Sequence, residues 1–502
     1  MSSIINNNDV SQIASFYRDR SIFITGATGF MGKVLVEKLL RSCSDVKHIY
    51  ILLRSKKGLN PRTRLEELLN TKIFDKLRNE NPKALNKVVA ITGDITLDGL
   101  GISDSDLKLL LNDVSVVFHS AATVKFDEPL KTSIEFNVLG TRRLIALCHK
   151  MPNLVALIHV STAYANCNRS EIEELVYEAP VEPQNVIDIV NWMDEDVVNT
   201  ITPKLIGDRP NTYTFTKALA ESLLLDECGS LPVAIVRPSI VTASWKEPMS
   251  GWVDNLNGPT GLITAAGKGI LRSMNYNSKA TADIVPVDIV INLMIAIVWF
   301  TATQRPNGVL VYNCTSGSLN KFIWGQLNGF ISYLFEYPSG QLYRYPSLHL
   351  KESQFMNKMC ELFDHIIPAH LFDGLMALFG RKRIMVRIYE RLHRSVRALE
   401  WFTTHEWNFT NNNILMLIDQ LKGIDRQIFH FDVRAVNWST YWGDYVLGTR
   451  QYILKEDNST LPEARHNLNK LYYLNKLFGV LFLLCLWQTF SFGIPFISRK
   501  LF

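Results

Sequence analysis

The sequence predicts an α/β protein, a doubly wound parallel sheet followed by a helical C-terminal region. Three observations carry this. Short apolar, β-branched runs alternate with helix-like stretches through the first 240 residues. A glycine-rich turn follows the first of those runs, and the texture turns helical after about residue 350.

The strand candidates are 21–25, 49–53, 88–92, 114–119, 154–160 and 233–237. Strands that alternate with helices make a parallel sheet, and such sheets bind ligands at the C-terminal ends of their strands. Residues 171–210 interrupt the rhythm. They begin EIEELVYEAP and hold prolines 180, 183, 203 and 210. They read as an inserted loop with short helical pieces, either a lid or substrate wall, or a surface loop without a role. Residues 286–303 read as a core helix with a broad apolar face.

Hydrophobic residues make up 47% of the 502 and charged residues 20%, which supports a large core and excludes a mainly disordered chain. A net charge of +5, from 53 basic and 48 acidic residues, is too small to argue for nucleic acid. Seven scattered cysteines with no CxxC pair argue against a disulfide framework or a structural zinc site and fit a reducing compartment. No metal is expected.

The N-terminal MSSIINNNDVSQIASFYRDR lacks the basic-then-apolar pattern of a secretory leader, so the folded part is expected in the cytosol. At the other end, 22 residues from Leu477 to Ser498 carry no charge. As a helix they span about 33 Å, enough to cross a bilayer core. Lys470 and Lys476 flank one side, Arg499 and Lys500 the other, and Tyr472, Tyr473 and Trp487 suit an interface. Gln488, Thr489, Ser491, Gly493 and Pro495 would suit a monotopic insertion instead.

Residues 21–33 read SIFITGATGFMGK. Gly26 permits a tight turn, Gly29 lets backbone approach a pyrophosphate, and Gly32 allows close helix–strand packing. The helix that opens near Phe30 turns its N-terminus to the negative charge. Arg54, with Ser55, Lys56 and Lys57, follows the second strand where an NAD site carries an acid, so NADPH is the expected cofactor. Asp94 ends the third strand and could bond the adenine amino group or simply make a turn. Small residues in His119–Ser120–Ala121–Ala122 would let the cofactor lie against the fourth strand.

The fifth strand ends in Val160–Ser161–Thr162–Ala163–Tyr164, and Tyr213 and Lys217 stand four apart on one helix face. A free tyrosine has a pKa near 10. A nearby ammonium and the positive charge of a nicotinamide would lower it. A hydroxyl from the fifth strand would hold the substrate oxygen. Farther on, 381–397 reads RKRIMVRIYERLHRSVR. The spacing places Arg383, Arg387, Arg391 and Arg394 on one helix face, suited to ligand phosphates, to anionic headgroups, or to solvent alone.

TGATGFMGK, HSAATVKFDEPL, NVLGT at 137–141, VSTAY, YTFTKALAE and RPSIV resemble the extended short-chain dehydrogenase/reductases, with a Rossmann-type domain. HIIPAHLFDGLMALFG at 365–380 and ALEWFTTHEWNF at 398–409 extend the resemblance to the fatty acyl-CoA reductases of the male-sterility type. It covers about residues 15–450, and insect members often end in comparable apolar segments. It implies a reductase domain over 15–300, a connecting region over 301–354, a helical domain over 355–455 and a membrane segment over 477–498. By position it makes Tyr213 the proton donor, Lys217 its partner and Thr162 the substrate-binding hydroxyl, with Ser161 a runner-up. Asn137 matches an asparagine that supports a water near the lysine, though it could equally cap the following helix. Gly26, Thr28, Gly29, Phe30, Gly32, Arg54, Asp94, Ala121, Lys217 and Pro238 fall beside the cofactor.

The implied activity is two NADPH-dependent reductions of a long-chain or very-long-chain fatty acyl-CoA, through a bound aldehyde, to a primary alcohol. The implied partners are the acyl-CoA and a lipid membrane, the endoplasmic reticulum first and the peroxisome second. Two rival readings are a sterol or sugar-nucleotide dehydrogenase and a non-catalytic membrane scaffold. The helical domain and apolar tail oppose a sugar substrate, and the intact Tyr213/Lys217 pair opposes a scaffold.

Overall fold

The computed structural model describes residues 10–55 and 58–498. Lys56, Lys57, Arg499 and Lys500 therefore lie outside the described residues, as does the start of the N-terminal segment. The chain forms two compact units. The first holds the chain up to Val253 with Lys279–Trp324 and Trp401–Tyr441; the second holds Asp254–Ser278, Gly325–Glu400 and the chain from Trp442 onward. The units thus interleave along the chain.

The first unit is built on a seven-stranded, wholly parallel sheet. Its strands are β1 (Ser21–Thr25), β2 (His48–Leu53), β3 (Val88–Thr92), β4 (Val114–His119), β5 (Ala156–Val160), β6 (Val233–Pro238) and β7 (Leu310–Cys314). The order is β7-β6-β5-β4-β1-β2-β3, so the chain reverses direction across the sheet between β1 and β4. β1, β4, β5 and β6 are buried along their whole length, as central strands covered on both faces require. β7 lies in the stretch expected to be a connector; it pairs with β6 and completes the sheet edge.

One face packs Phe23, Val117, Leu157 and Ile235 against Leu144, Leu219 and Leu223 of two covering helices. Val287–Gln304 lies against β5, β6 and the helix Phe30–Ser42. It is long and apolar enough to cross a membrane, but it is mostly buried in the protein, as its core reading requires. Residues 171–210 form a short strand, Glu171–Ile172, and two helices, Pro183–Trp192 and Glu195–Ile206. Val186, Ile187, Val190 and Val198 enter the same core cluster as Phe215, so the two helices of the segment pack onto the core.

A buried ion pair ties these parts together. Arg237 on β6 and Glu221 on the helix Thr212–Glu227 meet at 2.7 Å with both side chains buried. The Arg237 guanidinium also donates to the carbonyls of Glu173 (3.0 Å) and Leu175 (2.7 Å), at the start of the inserted segment.

The second unit is mainly helical. It contains Pro259–Gly267, a continuous helix from Gln354 to Leu378 with a π turn at Glu361–Ile366, and most of Met385–Thr404. A two-stranded parallel pair, Ser273–Asn275 with His349–Lys351, joins small clusters around Leu271, Met274 and Val396. The last element is one 38-residue helix, Leu461–Ser498, which contains the apolar tail. Leu477, Phe478, Leu481, Leu483, Leu484 and Trp487 on it are exposed.

Removing one member of a buried pair strands the other charge, at a cost of about 3–5 kcal/mol. Glu221→Ala is therefore expected to lower the thermal unfolding midpoint well below that of the wild type. An unchanged midpoint would show that the pair does not hold the unit together.

Candidate active site

The glycine turn joins β1 to the helix Phe30–Ser42 at the switch point of the sheet. Gly26 has φ +80°, and a Cβ there would lie 2.7 Å from the Ala121 nitrogen. A Cβ on Gly32 would collide with the Gly26 carbonyl oxygen, which fixes the close helix–strand packing. Gly29 occupies the N-cap with extended backbone and no side-chain cap, so the helix N-terminus stays open to an anion. β4 closes the cradle. Ser120 Oγ donates to Thr25 O (2.9 Å), and Ala121 N donates to Thr25 Oγ1 (3.3 Å). Thr28 is half-buried within the turn, and Phe30 stacks on Trp252 at 5.5 Å. A turn with no room for a Cβ at Gly26 or Gly32, beside an uncapped helix, fits the pyrophosphate of a nicotinamide dinucleotide.

Arg54 and Asp94 come together at the ends of β2 and β3. The guanidinium is 3.5 Å from the carboxylate and lies over the Phe136 ring at 5.7 Å. Asp94 also accepts from the backbone N–H (3.0 Å) and hydroxyl (2.9 Å) of Thr96, so it makes the turn that the sequence allowed. Arg54 is partly exposed, which leaves its donors open to a ligand.

At the end of β5, Ser161 and Thr162 are buried. Thr162 Oγ1 accepts from Tyr164 N (3.3 Å) and donates to the Pro238 carbonyl (3.5 Å). Ser161 Oγ has no hydrogen-bond partner among the described residues. The helix Thr212–Glu227 starts where Asn211 Oδ1 accepts from Thr214 N at 2.9 Å. That cap puts Tyr213 in the first turn and Lys217 one turn on. The Thr162 hydroxyl bears on the Tyr213 phenol and lowers its pKa. Lys217 Nζ donates to the Val160 carbonyl at 2.8 Å. Tyr213, Lys217 and Thr162 thus converge at one strand end.

Within the chain, burial sets the electrostatics. Burial pushes the Tyr213 phenol up to about 12, only partly offset by the Thr162 hydroxyl. The Lys217 ammonium does not pull it down. Burial takes Lys217 itself down to about 8 against the opposing charge of Glu221. The chain alone keeps Tyr213 protonated, in the state of a proton donor.

Asn137 does not cap a helix. It sits inside a π turn, Glu135–Leu139, of a helix running from Leu130 to Cys148. Its amide accepts from Thr123 N (3.0 Å) and donates to Thr123 O (3.2 Å) and Thr216 Oγ1 (3.0 Å). It fastens the loop after β4 to the residue before Lys217.

Sequence reasoning missed three features. His119 and His159, on neighbouring strands, are buried with their rings 5.3 Å apart. Burial first and the Lys217 charge second hold both neutral, His119 down to about 3. Phe126 stacks on Tyr213 at 5.8 Å and meets Phe402 at 5.4 Å, the edge of an aromatic cluster with Tyr164 and Trp407. Glu221 and Arg237 are the third; they stand in the YTFTKALAE and RPSIV motifs, but nothing local shows that they pair.

The basic stripe belongs to the second unit and is exposed. Arg387, Arg391 and Arg394 lie on Met385–Thr404, but Arg383 precedes that helix. The Asp373 carboxylate accepts from the N–H groups of Ile384, Met385 and Val386, each at 3.0 Å, and so sets the helix start beyond Arg383.

The fold has relatives among solved structures. The terminal R domain of the myxalamid PKS-NRPS biosynthetic pathway superposes with a TM-score of 0.56, at 18% identity, over 87% of this chain and 91% of that one. This identifies the class: a Rossmann-type α/β fold. Two sequence profiles described as "Male sterility protein" match residues 24–294 and 364–456. Fatty acyl-CoA reductase 1 of Xenopus laevis is 47% identical over 95% of this chain and 93% of its own length. The Rattus norvegicus counterpart is 46% identical over the same shares. The chain belongs to the fatty acyl-CoA reductase family.

Forcing φ near +80° on a residue with a Cβ costs about 1–2 kcal/mol before any clash. Gly26→Ala is expected to weaken dinucleotide binding about tenfold or more, read by quenching of intrinsic fluorescence. Equal affinity in the variant would remove the turn from the cofactor site.

Proposed function

We propose that the protein reduces a long-chain or very-long-chain fatty acyl-CoA to the primary alcohol, releasing CoA and passing through a bound aldehyde. The observation that carries this is the meeting of Tyr213, Lys217 and Thr162 at one strand end, in a chain of this family. NADPH, held at Gly26, Gly29, Gly32 and Arg54, supplies hydride when bound. Arg54, where an acid would favour NAD, supports the phosphorylated cofactor.

Thr162 and Tyr213 donate hydrogen bonds to the substrate carbonyl oxygen, where negative charge grows. A tyrosine with its pKa near 12 arrives protonated and gives up its proton only to an oxygen made strongly basic. The Lys217 ammonium, fixed on the Val160 carbonyl, adds positive charge beside that oxygen. Ser161 is a second hydroxyl at the same strand end, and its open hydrogen bond suits a substrate or cofactor oxygen. Asn137 is a positioning residue that acts through Thr216. The Phe126 ring stacked on Tyr213, with Phe402 against it, suits an apolar chain.

The exposed Leu477, Phe478, Leu481, Leu483, Leu484 and Trp487 support a membrane anchor in the terminal helix. The catalytic unit then faces the cytosol, at the endoplasmic reticulum first and the peroxisome second.

The deciding experiment incubates the full chain with NADPH and a panel of acyl-CoAs and identifies products by mass spectrometry. Primary alcohol at two NADPH per thioester is expected. Aldehyde at one NADPH would halve the proposed sequence, and no turnover of any thioester would overturn it. Tyr213→Phe should lose about 100- to 10,000-fold in kcat while NADPH binding persists.

A second expectation concerns pH. Lys217 is charged below about 8 and neutral above it. Turnover should hold below that value and fall as pH rises through it, with Tyr213 still protonated. Lys217→Met should be slow throughout and lack that limb; an unchanged limb in the variant would assign it to another group.

A further inference from the structure

The helix from Gln354 to Leu378 is amphipathic with its polarity reversed. Large apolar residues recur every four positions at Phe355, Met359, Phe363, Ile367, Leu371 and Leu375, and all are exposed. At its end Leu378 and Phe379 are 83% and 75% exposed. Three polar residues, Asn357, His365 and Asp373, face the protein instead. Asn357 is buried, bonded to Ser273 and Glu361. His365, 0% exposed, accepts from Arg272 N at 3.0 Å and bonds His393. Asp373, 3% exposed, is consumed in capping the next helix. In water this arrangement leaves apolar surface unburied and pulls polar groups inside, the opposite of what solvation favours.

Charge says what the face meets. Gly380, at φ +68°, ends the helix, and Arg381, Lys382 and Arg383 follow at once, all exposed. Arg387, Arg391 and Arg394 continue the basic character along the next helix. None of these six makes an ion pair among the described residues. The acids of the apolar helix are turned away: Glu361 to Asn357, Asp364 to Arg272 at 3.5 Å, and Asp373 to its cap. An apolar face bordered by unpaired cations fits acyl chains beneath anionic headgroups.

We infer that the helix Gln354–Leu378 lies in the surface of a lipid bilayer, its apolar side chains among the acyl chains and Arg381–Arg383 on anionic headgroups. This is a second membrane contact, distinct from the terminal helix, and it does not rest on that helix being an anchor.

The test places the photoreactive p-benzoylphenylalanine at Leu371 in the full chain, and at Leu481 of the terminal helix in a parallel sample. Both are irradiated in phosphatidylcholine vesicles containing phosphatidylserine, and adducts are identified by mass spectrometry. A lipid adduct at Leu371 is expected, falling severalfold when phosphatidylserine is omitted. Chain-to-chain adducts at Leu371 would make the face an interface between copies and overturn the inference. So would the absence of any adduct there while Leu481 labels lipid. A lipid adduct at Leu371 with none at Leu481 would remove the terminal anchor and leave this face standing.

Discussion

The buried contact between Arg237 and Glu221 is the constraint on which the site depends. Its two side chains come from β6 and from the helix that carries Tyr213 and Lys217, and the guanidinium also holds two carbonyls of the inserted segment. Such a pair adds little net stability against well-packed apolar residues, because desolvation offsets the attraction. Its effect is on register. With Glu221 locked to the sheet, Lys217 one turn earlier can reach only the end of β5. There it meets the Val160 carbonyl. The same carboxylate lies close enough to soften the penalty on the buried ammonium.

Much of this was legible in the sequence, for a physical reason. The glycine cradle depends on contacts within a few residues and on one strand end, so GATGFMG carries its own stereochemistry. β1, β2, β4, β5 and β6 showed as apolar, β-branched runs because central parallel strands are apolar on both faces. β7 did not, because five residues after a long apolar helix carry too little pattern. Arg383 illustrates a different blindness. Spacing shows which residues would share a face, but not where the helix begins, and Asp373, on another helix, decides that. The neutral state of His119 and His159 follows from strand adjacency and from Lys217, neither visible in a local window.

The second unit shows a limit of reading burial from hydropathy alone. Phe363, Leu371 and Leu378 look like core residues in the sequence, yet they are exposed, while His365 and Asp373 are inside. Hydrogen-bonding need explains the inversion. Asp373 satisfies three helix N–H groups at once, and His365 satisfies a backbone N–H at Arg272. Polar side chains thus go where backbone groups lack partners.

The order in which the first unit is assembled along the chain bears on how it folds during synthesis. β6 remains an open sheet edge until Leu310–Cys314 has emerged, and Tyr164 lacks Trp407 and Phe409 until more than 240 residues separate the partners, as in the Trp407–Cys167 hydrogen bond with its separation of 240. Contacts of such long range slow folding and leave unpaired edges exposed meanwhile. A fragment ending near residue 300 would hold the whole dinucleotide cradle, yet it would present β6 as a bare, largely apolar edge, prone to pair with another chain. The nascent protein therefore depends on its later half to keep its earlier half soluble.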